Sequence, residues 1–207
     1  KAGAPLPARV VAWIASQVAS GLEHAHAKAT DDAGRPLRVV HRDLSPANVL
    51  LDRSGRVRIT DFGVSRALGD TTRLHTRQLV GKPGYVAPES LNGRGVDPRS
   101  DLWSFGVLIW EMLSNERLFA RDSEAAALFA VVEGAIPPLK VTRPDLGPAW
   151  QVLVDQLLQR DRDERLESAT LARELLDVLL AGEGLPDTTE LSRLVAPEDE
   201  VPELPLD

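Results

Sequence analysis

Apolar residues recur at helical spacing early in the chain. Val10, Ile14, Val18 and Leu22 form an i, i+4 stripe, and Val11 and Ala15 widen it. This predicts a helix over residues 7 to 28, with Pro7 in its first turn. Thr30 to Pro36 is turn chemistry, and Arg38-Val39-Val40 reads as a short strand. Asn48 to Leu51 and Val57 to Thr60 read as two more strands, joined by the hairpin signal Asp52-Arg53-Ser54-Gly55. After Gly63 the pattern lapses into a long polar stretch that ends at Val80 to Glu89, and a loop of that length in a compact domain is usually functional. Ser100 or Asp101 then caps a segment, Leu102 to Leu113, that is apolar on nearly every face, as a helix buried all round must be. Residues 123 to 133, 149 to 159 and 169 to 181 give three further helices, with Ser168 as N-cap of the last and Gly182 as its stop. The expectation is a mainly α folded unit over residues 1 to 182. Residues 183 to 207, acidic and proline-containing, are expected to be an exposed, flexible tail.

The 207 residues, 43% hydrophobic and 27% charged, suffice for a real core. The net charge of −7 argues against a nucleic-acid partner or an anionic membrane surface. With no cysteine, disulfides and thiolate metal sites are excluded and an intracellular, cytoplasmic setting is favoured. No apolar run approaches the roughly 20 residues of a membrane-spanning helix. The first residue is Lys1 and there is no signal peptide, so the expectation is a piece of a longer protein.

The chemistry concentrates in His41-Arg42-Asp43-Leu44-Ser45-Pro46-Ala47-Asn48. This stretch sets a carboxylate and an amide five residues apart, just before a strand. Asp61-Phe62-Gly63 follows the second strand, thirteen residues after Asn48. One candidate base and two candidate magnesium ligands thus fall at the ends of adjacent strands. Taken alone, Asp43 and Asn48 are also ordinary turn residues.

With Ala87-Pro88-Glu89 added, the set resembles a protein-kinase catalytic domain of the bacterial Ser/Thr type. Each motif alone is weak; three in order, each in the right strand or loop context, are strong together. Asp101-Leu102-Trp103-Ser104-Phe105-Gly106 and Arg165 extend the likeness. It covers residues 5 to 182 and only the C-terminal lobe: no G-x-G-x-x-G loop and no V-A-I-K lysine is present. The implied architecture is a helical bundle with short β-hairpins at the catalytic loop, and the implied partners are a protein substrate and the missing N-terminal lobe.

The resemblance implies the following roles. Asp43 is the base, and Asn48 and Asp61 hold Mg²⁺ (or Mn²⁺) against ATP as hard oxygen ligands. Leu50, with Leu108 and Met112, lies beneath adenine, although a plain core role explains these residues equally well. His41 and Phe62 stack in an apolar column tied to the buried helix by Asp101. Glu89 and Arg165 form a buried ion pair, the alternative being two separate surface charges. Arg42 and Arg66 receive a phosphate on Thr71, Thr72 or Thr76, which are otherwise solvated loop residues. One departure stands out: Ser45 replaces the usual lysine and Lys82 the usual threonine. Lys82 is therefore expected to supply the missing charge beside Asp43, against the ordinary habit of lysine to face solvent. Three functions compete: a Ser/Thr protein kinase, a non-catalytic pseudokinase-like scaffold, and a small-molecule phosphotransferase.

Overall fold

Thirteen residues of one helix are buried, and the other elements are arranged around it. This is α3, Pro98–Ser114, whose apolar side chains point in every direction. The computed structural model describes residues 4–62, 82–93, 95–192 and 194–195. Within these, the order is α1 (Ala8–Glu23), a π turn (His24–Lys28), a 3₁₀ turn (Pro46–Asn48), β1 (Val49–Leu51), β2 (Val57–Ile59), a second 3₁₀ turn (Pro83–Tyr85) and α2 (Pro88–Leu91). Then come α3, α4 (Glu124–Glu133), α5 (Leu139–Thr142), α6 (Pro148–Leu157), α7 (Ala169–Glu183) and α8 (Thr188–Ser192).

The cap of α3 is Asp97, whose side chain accepts from the Arg99 amide at 2.8 Å, with Pro98 in the first turn. This corrects the reading of Ser100 or Asp101 as the cap. Pro98 fixes the start earlier and leaves the Asp101 carboxylate for other work. At its far end Asn115 takes the left-handed conformation, φ 58°. Gly106 lets α6 approach: a Cβ there would lie 2.8 Å from Leu157 Cβ and 2.9 Å from Leu158 Cδ2. Trp103 stacks on Phe119, ring centroids 5.8 Å apart.

The apolar stripe of α1 is buried as its spacing requires: Val10, Val11, Ile14, Ala15, Val18 and Leu22 are all in the core. The last five residues of the expected helix widen into the π turn. α7 packs along α1, and Glu23 ties the two through Arg173 at 3.1 Å and Thr170 at 3.2 Å. α7 runs through Gly182 and stops at Gly184, φ 83°. Only the second glycine adopts positive φ, so only it ends the helix. Arg38-Val39-Val40 is not a strand. Arg38 has φ 48°, and Val39 donates to Ala25 O at 2.9 Å, so among the described residues no partner strand builds a ladder there. The predicted hairpin is present: β1 and β2 pair antiparallel with Val49 opposite Ile59 and Leu51 opposite Val57.

Glu89 of α2 meets Arg165 through two bonds of 2.7 and 2.9 Å, and Ser100 Oγ donates to the same carboxylate at 2.8 Å. Arg165 also donates to Gln159 O and Arg99 O, and its guanidinium lies 5.3 Å from the centre of the Trp103 ring. Every charged atom is thus satisfied at a site where Glu89 is 4% and Arg165 3% exposed. Burial pushes the Glu89 carboxyl up, but Arg165 outweighs it and holds the group below its ordinary range. Because the folded value is the lower one, this stabilisation is present above the unfolded carboxyl's range and is lost as pH falls through the folded value. Arg165→Leu is expected to lower unfolding free energy by about 3–5 kcal/mol, since it strands the Glu89 charge. Urea titration at neutral pH checks this, and the deficit should shrink as Glu89 protonates in acid.

Candidate active site

The loop between the π turn and β1 is held from below by Asp101, in the first turn of α3. Its Oδ1 accepts the Arg42 amide at 2.8 Å. Its Oδ2 accepts the His41 amide at 2.7 Å and faces His26 Nε2 at 2.8 Å. Asp101 is 1% exposed. The clamp bears on the first of two uncommon backbone conformations near the loop. Arg42 sits at φ 69° and Asp61 at φ 57°, conformations that cost a non-glycine residue about 1–3 kcal/mol and persist only where the surroundings dictate them. Arg42 immediately precedes the candidate base Asp43, and Asp61 follows β2.

His41 joins the two halves. Its Nε2 bonds Thr60 O at 2.8 Å, its Nδ1 accepts the Asp43 amide at 3.2 Å, and its ring lies 4.6 Å from that of Phe62. Since a main-chain carbonyl can only accept, the proton is on Nε2. The pairing of His41 with Phe62 expected from the sequence is therefore in place, with Asp101 beneath it. Leu44 is fully buried and anchors the loop.

Around Asp43, residues distant in sequence converge. Asn48 Nδ2 donates to Asp43 O at 2.7 Å and to Asp43 Oδ2 at 3.1 Å. Lys82 Nζ lies 3.1 Å from the same Oδ2. The Asp43 side chain is 52% exposed and that of Lys82 31%, so the pair contributes only about 0–1 kcal/mol to stability. Ser45, by contrast, is 1% exposed, and its Oγ has no partner among the described residues. Asn48 turns its Nδ2 to Asp43, so its Oδ1 is the oxygen suited to a hard cation, and the Asp61 carboxylate at the end of β2 is exposed. Two hard oxygen donors on adjacent chain ends fit Mg²⁺ or Mn²⁺. Leu50 projects from the exposed face of β1 at 53% exposure, whereas Leu108 is buried in the core with Met112 at its edge. Arg42 is exposed. Arg66, Thr71, Thr72 and Thr76 lie outside the described residues.

Two clusters went unread in the sequence. Tyr85 packs its hydroxyl between Glu111 of α3 and Arg117, and its carbonyl accepts Ser104 Oγ at 2.7 Å. Burial, then the neighbouring Glu111 carboxylate, push the phenol far above its usual range, so it remains a donor. This cluster fastens the segment carrying Lys82 to α3. The one signal for it is an acidic residue at position 111 within the mostly apolar run Leu102 to Leu113. The other is His26, whose place on the buried side of the helix end hinted at a partner. An apolar cavity of about 810 Å³ opens beside Phe62, between Gln17, Gly21 and Ala25 on one side and Val57 and Ile59 on the other.

A family model described as "Protein kinase domain" matches residues 1–177. The chain is similar to Tyrosine-protein kinase MasK of Myxococcus xanthus, at 35% identity over 86% of this chain and 27% of that protein. It is similar to a probable serine/threonine-protein kinase of Streptomyces coelicolor, at 36% identity over 76% of this chain and 24% of that one. It is also similar to Serine/threonine-protein kinase PknB of Mycolicibacterium smegmatis, at 33% identity over 77% and 27%. The chain spans about a quarter of the length of the curated relatives it matches.

Asp101→Ala leaves the His41 and Arg42 amides without their acceptor. It is expected to cost at least the roughly 1–3 kcal/mol of one orphaned buried donor. A lower urea midpoint, with faster amide exchange at residues 41 and 42, checks the clamp.

Proposed function

Since the chain belongs to the protein kinase domain family, we propose that it forms the catalytic-loop lobe of an enzyme that transfers the γ-phosphoryl group of ATP to a serine or threonine hydroxyl of a protein. The observation that carries this reading is the environment of Asp43. Among the described residues both side-chain contacts to its carboxylate, from Asn48 and Lys82, fall on Oδ2. Oδ1 is thus the oxygen offered to a substrate hydroxyl. A carboxylate so oriented accepts the hydroxyl proton as the oxygen attacks phosphorus, a role typically worth about 10²–10⁴-fold. Asn48 both orients Asp43 and, with Asp61, would hold the metal. A bound Mg²⁺ or Mn²⁺ would neutralise phosphate charge. Lys82 adds a cation on the side of Asp43 where phosphoryl charge gathers, and it takes the part that the buried Ser45 cannot.

Serine or threonine is favoured over tyrosine by the loop wording Ser45-Pro46-Ala47-Asn48, although one relative is named a tyrosine kinase. Phosphoamino-acid analysis of the product separates the two. The sequence holds no glycine-rich phosphate loop and no strand lysine. The exposed Leu50 and the apolar cleft beside Phe62 offer an ATP-holding lobe a surface to pack on. ATP as co-substrate favours the cytoplasm. Among the described residues no helix is long and apolar enough to cross a membrane.

The 207-residue chain alone is expected to turn over ATP negligibly. Measurable turnover that Asp43→Asn abolishes would overturn that expectation. In a form extended by its upstream reading frame and active, Asp43→Asn should remove activity, whereas a purely scaffolding protein would show none to remove. In that active form Lys82→Ala should lower kcat by about 10²–10³-fold, as loss of one transition-state charge partner does. An unchanged kcat would leave Lys82 a bystander.

A further inference from the structure

We propose that residues 187–192 form an intramolecular latch that sets the position of the β1–β2 hairpin and through it the two ends that carry Asn48 and Asp61. The segment lies beyond residue 177, where the family match stops, and its composition reads as a solvated tail. It folds instead into α8, with a reciprocal cap: Asp187 Oδ1 accepts the Glu190 amide at 2.8 Å, and Glu190 Oε2 accepts the Asp187 amide at 3.2 Å. A five-residue helix is too short to hold itself together, so its order comes from what it touches.

It touches the first turn of α1 and the tip of the hairpin. Arg9 Nε donates to Glu190 Oε2 at 2.8 Å, and a second guanidinium nitrogen meets Oε1, making a two-point pair. Leu191 is 6% exposed, and its Cδ1 lies 2.6 Å from where a Cβ would stand on Gly55. Gly55 also has φ 80°, so the turn needs glycine both for its backbone and for the room Leu191 takes. From the other side, Trp13 Nε1 and Gln17 Nε2 donate to Gly55 O at 2.9 and 3.2 Å, and Gln17 Oε1 accepts the Val57 amide at 3.0 Å.

The hairpin thus sits in a clasp with α1 as one jaw and Leu191 as the other. Two strands of three residues are marginal without such support. Their ladder passes from Gly55 to the Thr60 amide, which donates to Asn48 O at 2.9 Å, next to strained Asp61. Release of the latch therefore loosens the end of the hairpin that faces Asp43. Events on the chain around residues 187–192 are thereby coupled to the site, about a hairpin's length away.

The coupling to the site rests on the reading of Asn48 and Asp61 as cation ligands, and the test separates the two claims. In the 207-residue chain, Leu191→Asp and Arg9→Glu are compared with wild type by amide hydrogen exchange and by Mn²⁺ titration. Both variants should speed exchange in residues 49–51 and 57–59 by about tenfold or more while α3 keeps its protection, and both should weaken Mn²⁺ binding. The charge swap Arg9→Glu with Glu190→Arg should restore slow exchange. Unchanged exchange in the hairpin of both variants, with residues 187–192 released, would overturn the latch. Should Leu191→Asp also unprotect α3, the Arg9 and Glu190 variants decide by whether the swap restores the hairpin. A wild-type chain whose hairpin is protected but which binds no Mn²⁺ would defeat the ligand reading and leave the latch standing.

Discussion

The arrangement depends on one buried carboxylate. Asp101 stands in the first turn of a helix that is covered on all sides, and its two oxygens take the amides of His41 and Arg42 and a ring nitrogen of His26. The position suits a charge, because the unpaired amides of a helix N-terminus favour an anion there. The helix is a fixed post, since its burial leaves it no direction in which to shift without opening the core. The loop therefore inherits the rigidity of the core instead of the mobility usual for loops. This is what makes the left-handed backbone at Arg42 tolerable, and with it the presentation of Asp43 toward solvent.

The same post carries the other side of the site. Ser104 and Glu111 on α3 receive Tyr85, and Ser100 shares Glu89 with Arg165. The segment of Lys82 is thus referenced to the same rigid body as the segment of Asp43. Two residues 39 positions apart in sequence meet at 3.1 Å because each is bolted to one helix, while their mutual attraction is too weak to bring them together. Preorganisation of this kind costs nothing at the moment of reaction, which is where electrostatic stabilisation is effective.

What the chain discloses before folding follows from the range of the forces involved. The stripe Val10, Ile14, Val18, Leu22 and the all-apolar run after Leu102 are local patterns, and both emerge as helices with the burial their spacing implies. The turn Asp52 to Gly55 is likewise written in local side-chain chemistry: Asp52 accepts the amides of Ser54 and Arg56. The structure departs from the local patterns at a few places. Among the described residues Val39 pairs with no strand and donates to Ala25 O instead, Gly182 is carried inside α7, and Asp97 caps α3 with Pro98 in its first turn. Residues 187–192 look like a solvated tail until Arg9 and Gly55 supply a surface. Asp43, Asn48 and Asp61 stand out in the sequence because they fall in motifs of fixed spacing, and Asn48 meets Asp43. Tyr85 with Glu111 and Arg117 was not, because nothing local links the three.

The buried Ser45 sharpens the reading of Lys82. Position 45 faces inward, with 1% exposure and a hydroxyl that finds no partner among the described residues. In this chain that position cannot deliver a solvated ammonium to the face of Asp43 without reversing its side chain. Coulomb attraction depends on where a charge sits and not on which residue bears it. On the reading we propose, a lysine on the segment of Lys82 would meet the same requirement, provided that segment is held in place. The Tyr85 anchor holds it still. On the reading we propose for Lys82, a cation beside Asp43 is useful only because the Tyr85 anchor positions the segment that carries it.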